Sequence, residues 1–183
     1  MKLRRLLPKS GGFTLVELLI VVIILAILAA VVIPQFSNTT SSAKAAALDA
    51  NLSALRSAIE LYYQQHGHYP GSKASTGGTS PVSGGAVGSG AVDTAQAVID
   101  QLTMYTNASG QAVGSTSATS TYTFGPYLKK GVPNEPISNS NAIAVSTAGA
   151  LDLAVTGTTG GWKYDVKTGN LVANTTESDA HKR

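Results

Sequence analysis

The chain contains no cysteine. That excludes a structural disulfide, a thiolate zinc site and thiol catalysis. Charge is scarce, and the formal excess of +3 is local. Of the 13 basic residues, Lys2, Arg4, Arg5 and Lys9 precede Gly12; without these four, 9 basic residues face 10 acidic ones. The remaining bases are scattered, and no stripe of them alternates with aromatics, so the electrostatic footprint of a nucleic-acid binder is missing. No Ser/His/Asp arrangement or paired carboxylate stands out. The Gly/Ser/Thr-rich stretch 71–92 has neither the strand–loop–helix context nor the lysine placement of a phosphate-binding loop. The expected class is therefore not an enzyme.

What is present is one long apolar run. FTLVELLIVVIILAILAAVVI extends from Phe13 to Ile33 with a single charge, Glu17. A run of this length reads as a membrane-spanning helix. A carboxylate within it costs roughly 2.5–3.5 kcal/mol by insertion scales for Asp, Glu being taken as similar, so its presence asks for a partner. The basic leader MKLRRLLPKSGG lies upstream, and its small residues precede the apolar run instead of following it. This order is not that of a secretory signal. An uncleaved signal anchor, basic side inward, is one reading. The other is cleavage after Gly12, which would place a new α-amino group on Phe13, four residues from Glu17.

Gly11-Gly12-Phe13-Thr14-Leu15-Val16-Glu17-Leu18 resembles the processing site of type IV prepilins and type II secretion pseudopilins, and Pro34 falls where that family often has a proline. The resemblance covers about residues 1–70. It implies cleavage between Gly12 and Phe13 by a prepilin peptidase, N-methylation of Phe13, and assembly into a helical homopolymer through an inner-membrane platform. It implies that Glu17 neutralises the Phe13 amine of a neighbouring subunit. The precursor would sit in the lipid of a bacterial inner membrane, and the filament would be extracellular or periplasmic. The implied fold is α+β and pilin-like, a long N-terminal helix packed on a small antiparallel sheet. Many members carry a C-terminal disulfide, which this chain cannot form.

The remaining organisation follows from residue patterns. Proline should kink or locally melt a helix at Pro34. Beyond it, Ala45, Leu48, Leu52, Leu55, Ile59 and Tyr62 recur at helical spacing and make one apolar stripe. Gly67 is placed to cap the helix and Pro70 to stop it. The expected divisions are a leader over 1–12, a filament-core helix over 13–36, an amphipathic helix over 37–67, a β-rich domain over 68–176 and a flexible tail over 177–183. The stretch 71–92 has few large apolar groups to offset its ordering entropy and reads as a mobile loop, of which 75–90 could be deleted without loss of the fold. Asp93 to Thr106 reads as a short helix capped by Asp93 or Thr94, with Val98, Ile99, Leu102 and Tyr105 inward. Residues 107–121 read as low complexity. Strands are expected over 121–129, 141–146 and 150–156, and a hairpin over 161–166 and 170–174, turning at Lys167-Thr168-Gly169.

Two weaker candidates remain. Residues 125–136 resemble the segment of major pseudopilins that precedes a calcium-binding loop, and Asn134, Glu135 and Asp152 would supply oxygens here. Hard cations want six to eight oxygens with several carboxylates, so a plain surface turn is favoured and no cofactor other than calcium is in question. His66 and His68 read as an exposed helix end, not a metal pair. The functional expectation is a subunit of a type IV pilus-like filament serving adhesion, motility or a related surface role. The alternatives are a major pseudopilin of a type II secretion system and an uncleaved, signal-anchored binding protein.

Overall fold

The computed structural model describes residues 12–115, 117–150 and 160–175, without the side chains of 32–38. Leader residues 1–11, Asp152, most of the strand expected over 150–156, and the tail 177–183 lie outside the described residues. The chain divides into two compact units, Met1–Ser42 and Ala43–Arg183.

Helix α1 (Leu15–His66) contributes to both, and its assignment passes Pro34 and 37–43 without a break. In the first unit its large apolar side chains from Leu15 to Val31 are all 50–81% exposed. Among the described residues no helix is long and apolar enough to cross a membrane. The membrane-spanning half of the expected architecture thus remains a reading of the sequence.

In the second unit the stripe is the core. Leu48, Leu52, Leu55, Ile59 and Tyr62 are buried against Val98, Leu102, Trp162, Tyr164, Val166, Leu171 and Ala173. Burying each large side chain contributes about 1.5–3 kcal/mol. The helix ends as its sequence asks: Gly67 takes φ +72 and its N–H returns to the Tyr63 carbonyl at 2.8 Å.

The sheet against this helix contains β3 (Ile143–Ser146), β4 (Trp162–Asp165) and β5 (Leu171–Ala173), in that order. The expected β4–β5 hairpin forms, and its register puts Trp162 opposite Ala173 and Tyr164 opposite Leu171. The expectation of an antiparallel sheet is corrected at β3, which runs parallel to β4. A parallel neighbour needs a long connection, and the 15 residues from Thr147 to Gly161 provide one. The stretch 121–129 is not a strand either; its one ladder contact is a bridge between Thr106 and Phe124. The Gly125-Pro126 pair removes a donor and interrupts pairing there.

The low-complexity segments give the largest correction. Helix α2 (Ala95–Thr103) is capped by Thr94, whose hydroxyl accepts the Ala97 N–H. Its buried face includes Ala97, Val98 and Leu102, but also Asp100 and Gln101. The Asp100 carboxylate accepts from Ser75 Oγ (2.6 Å), Ser89 N (2.8 Å), Gly90 N (3.2 Å) and Gln96 Nε2 (2.6 Å). Gln101 accepts the Gly71 N–H at 2.7 Å and donates to the carbonyls of Lys73 and Gly110. Two adjacent polar residues therefore tie the ends of 71–92 to α2, and the expected mobile, deletable loop is a pinned one. Glycine is required where it passes closest: a Cβ at Gly90 would collide with the Ala97 backbone. The second segment is also ordered. Strands β1 (Tyr105–Thr106) and β2 (Ala112–Val113) pair antiparallel around a turn whose Asn107 Oδ1 accepts the N–H groups of Ser109 and Gln111.

No disulfide holds the C-terminal region. Arg56 instead donates from Nε and Nη2 to the Leu171 carbonyl at 3.2 and 2.8 Å. Asn174 bonds back to Gly161 and Gly160, and Trp162 Nε1 reaches the Pro133 carbonyl at 2.8 Å.

Candidate functional site

The start of α1 carries the candidate chemistry. Thr14 stands just before the helix and Glu17 is its third residue. Thr14 N and Thr14 Oγ1 both donate to Glu17 Oε2 at 2.8 Å, while Thr14 Oγ1 accepts the Glu17 N–H at 3.2 Å. This is a reciprocal cap, satisfying donors that the first turn leaves without carbonyl partners. Its signature, Thr-x-x-Glu ahead of an apolar run, was legible in the sequence but absent from the expectations above. The carboxylate also lies where the helix dipole is positive.

Phe13 precedes the cap and is 83% exposed. Its nitrogen is an amide here, so no charge pair with Glu17 exists within the intact chain. Gly12 takes no part in packing: a Cβ built on it meets nothing within 4 Å. Nothing among the described residues demands glycine there. Following Glu17, an uninterrupted exposed apolar surface marks a contact with membrane or protein.

Residues 7–33 match the family model for the prokaryotic N-terminal methylation motif. These residues carry the prepilin motif of type IV pilins and pseudopilins. The motif implies a membrane-anchored prepilin, processing by prepilin peptidase and pilus assembly. No curated protein and no solved structure matches the chain.

Elsewhere in the chain, two of the weaker candidates, Glu135 and Asn134, make hydrogen bonds within the fold, and the third, Asp152, lies outside the described residues. Glu135 is buried, and its oxygens accept Ile137 N, Ser138 N and Ser138 Oγ at 2.6–2.8 Å. Asn134 bonds Asn139 through its side chain and accepts from Asn51 through its carbonyl. Among the described residues no group of three or more metal-type ligands gathers. Pro34 lies within α1, its side chain outside the described residues. Asp165 ties β3 to the β4–β5 turn, accepting from Ser146, Gly149, Lys167 and Thr168. Burial raises its pKa, but those bonds outweigh it and hold the carboxyl below its ordinary value.

The histidines are not at an exposed end. His66 is half-buried and stacks on Tyr62, centroids 3.9 Å apart. Its Nδ1 contacts the Tyr62 carbonyl at 3.1 Å and Nε2 contacts Thr106 Oγ1 at 3.0 Å. A carbonyl can only accept, so Nδ1 carries the proton and Nε2 accepts from the threonine. Burial lowers the pKa of His66, opposed by the Tyr62 carbonyl and reinforced by His68. Burial likewise lowers His68, with Lys73 adding to it against the Tyr69 carbonyl.

Proposed function

We propose that this prepilin is the structural subunit of a type IV pilus-like surface filament, with a non-enzymatic role in adhesion, motility or a related surface function. The observation that carries the reading is the placement of Glu17, the one charge of the apolar run, four residues from the Phe13 nitrogen. Hydrolysis of the Gly12–Phe13 amide leaves a carboxylate on Gly12 and an amine on Phe13. That amine, once methylated, remains a cation. Glu17 of one subunit then faces the Phe13 amine of a neighbour in the filament core. A buried pair of this kind selects register, because a misplaced subunit buries an unpaired charge.

Intact-mass measurement on sheared filaments tests this. The expected chain lacks residues 1–12 and carries one added methyl. A chain beginning at Met1 would overturn the reading in favour of an uncleaved anchor.

A secretion pseudopilin is the second reading, supported by a C-terminal region held through Arg56 and Leu171 without a disulfide. Immunogold labelling separates the two: long labelled fibres on intact cells support the pilus, and label confined to the envelope supports the pseudopilin.

A further inference from the structure

Three acids of the second unit, Asp100, Glu135 and Asp165, are buried and spent internally. Glu60 is different. It lies exposed on α1 beside an aromatic pair, Tyr63 and Tyr69, whose rings stack 4.3 Å apart at 26°. Tyr63 remains 40% exposed. Burial, and then the nearby Glu60 carboxylate, raise the pKa of the Tyr69 phenol, and its ring lies directly over Gly169, where any Cβ would collide. Arg56, one turn earlier, is drawn to the Leu171 carbonyl. The result is an aromatic platform with a carboxylate at its edge, chemistry that takes an ammonium and packs its alkyl stem.

The same chain displays such a group. Leu128–Gly131 is a four-residue turn closed by Gly131 N to the Leu128 carbonyl at 3.3 Å, with Gly131 at φ +80. Lys129 and Lys130 occupy its two central positions, and both are exposed. The turn is held firmly at its base. Tyr127 N and Leu128 N both donate to the Leu102 carbonyl at 2.9 and 2.8 Å, and Trp162 holds Pro133 just beyond.

Platform and turn lie on opposite flanks of α1. Tyr127 bonds Gln65 and Asn134 bonds Asn51 on one side; Leu171 bonds Arg56 and Gly169 meets Tyr69 on the other. A contact between two different patches is heterologous and propagates from copy to copy instead of closing as a two-fold dimer. We infer that the Lys129-Lys130 turn of one subunit docks on the Glu60-Tyr63-Tyr69 platform of a second copy of this chain. The inference rests on the filament reading above and deepens it by assigning a lateral contact between globular domains.

The absence of native cysteine makes the test clean. Full-length chain carrying Gln64→Cys together with Lys129→Cys is expressed in the filament-forming host and treated with a short thiol–thiol crosslinker. A ladder of trimers and longer species is expected from the double variant, with none from either single one. Lys129→Glu with Lys130→Glu should reduce sheared filament yield about tenfold, as a loss of about 1.4 kcal/mol per contact would. Adding Glu60→Lys should restore it, while the cleaved subunit stays abundant throughout. Normal filaments without a ladder would overturn this contact and leave the filament reading standing. Dimers from a single-cysteine variant would overturn the heterologous geometry. Wild-type chain that is never cleaved or polymerised would overturn the filament reading and this contact with it.

Discussion

At the residue scale, Glu17 serves two partners at successive stages. In the precursor its carboxylate caps its own helix through Thr14. In the proposed filament it also meets an amine that exists only after cleavage. Gly12, by contrast, has open surroundings in the fold, and in the proposed reading it answers to the peptidase. Glu17→Ala should therefore be cleaved normally yet give few filaments, because breaking a buried pair costs about 3–5 kcal/mol. Thr14→Ser, which keeps the hydroxyl, should assemble like wild type, while Thr14→Val should fall between the two. Leader length on an immunoblot and the yield of sheared filaments read the two steps separately. Normal filament yield from Glu17→Ala would remove the charge pair from the mechanism.

At the scale of elements, α2 organises the polar half of the second unit. Removing the Asp100 carboxylate takes the 2.6 Å acceptor from the buried Ser75 hydroxyl and the acceptor from Ser89 N, and leaves Gly90 N only Ser75 Oγ. Each such group costs about 1–3 kcal/mol. Asp100→Ala should thus lose about 3 kcal/mol and lower the melting temperature by on the order of 10 °C. A melt within a degree or two of wild type would mean that 71–92 is held by something else.

The end of α1 sets the pH response. The folded pKa values of His66 and His68 lie below their ordinary 6.5. The unfolded chain therefore binds more protons in the interval between the folded and unfolded values, and stability rises with pH there. This contribution is complete above about pH 6.5 and is lost as pH falls through the folded values. Melting temperature should decline between pH 7 and pH 5, and His66→Gln should flatten the decline. Asp165 adds a second loss in the same direction at lower pH, below its ordinary 3.8. A melting temperature that rises on acidification to pH 5 would contradict the buried neutral imidazoles.

At the scale of the whole molecule, the hydrophobic core lies within residues 48–173, inside the second unit. The long row of exposed aliphatic side chains lies in the first. A chain shortened to Ala43–Arg183 should therefore fold cooperatively in aqueous buffer and stay out of the detergent phase, whereas the full chain enters it. Phase partitioning and a thermal melt check both statements. A shortened chain that required detergent to fold would mean that the core depends on the first unit.

The parts of this protein written in the sequence are those with a local physical code. The processing motif is contiguous, the stripe from Leu48 to Tyr62 is set by 3.6-residue periodicity, and Gly67 and Gly169 stand where left-handed backbone is required. Trp162, Tyr164, Leu171 and Ala173 alternate at period two, which placed the hairpin, while its register was decided by the fold. What only the tertiary structure decided depends on partners far apart in the chain. Nothing in the sequence around Asp100 announces the partners, Ser75, Ser89 and Gly90, that meet it in the fold. Loop 71–92 buries few large groups and is held instead by directional hydrogen bonds, which leave no periodic trace. The parallel direction of β3 is a matter of its pairing with distant β4, Ile143 beside Trp162 and Ser146 beside Asp165, and no residue within it announces that direction. His66 became a half-buried, stacked ring only because Thr106 and Phe124 close over the helix end. Apolar burial acts through pattern and is legible along the chain; buried polar pairing acts through position and appears only once the chain has folded.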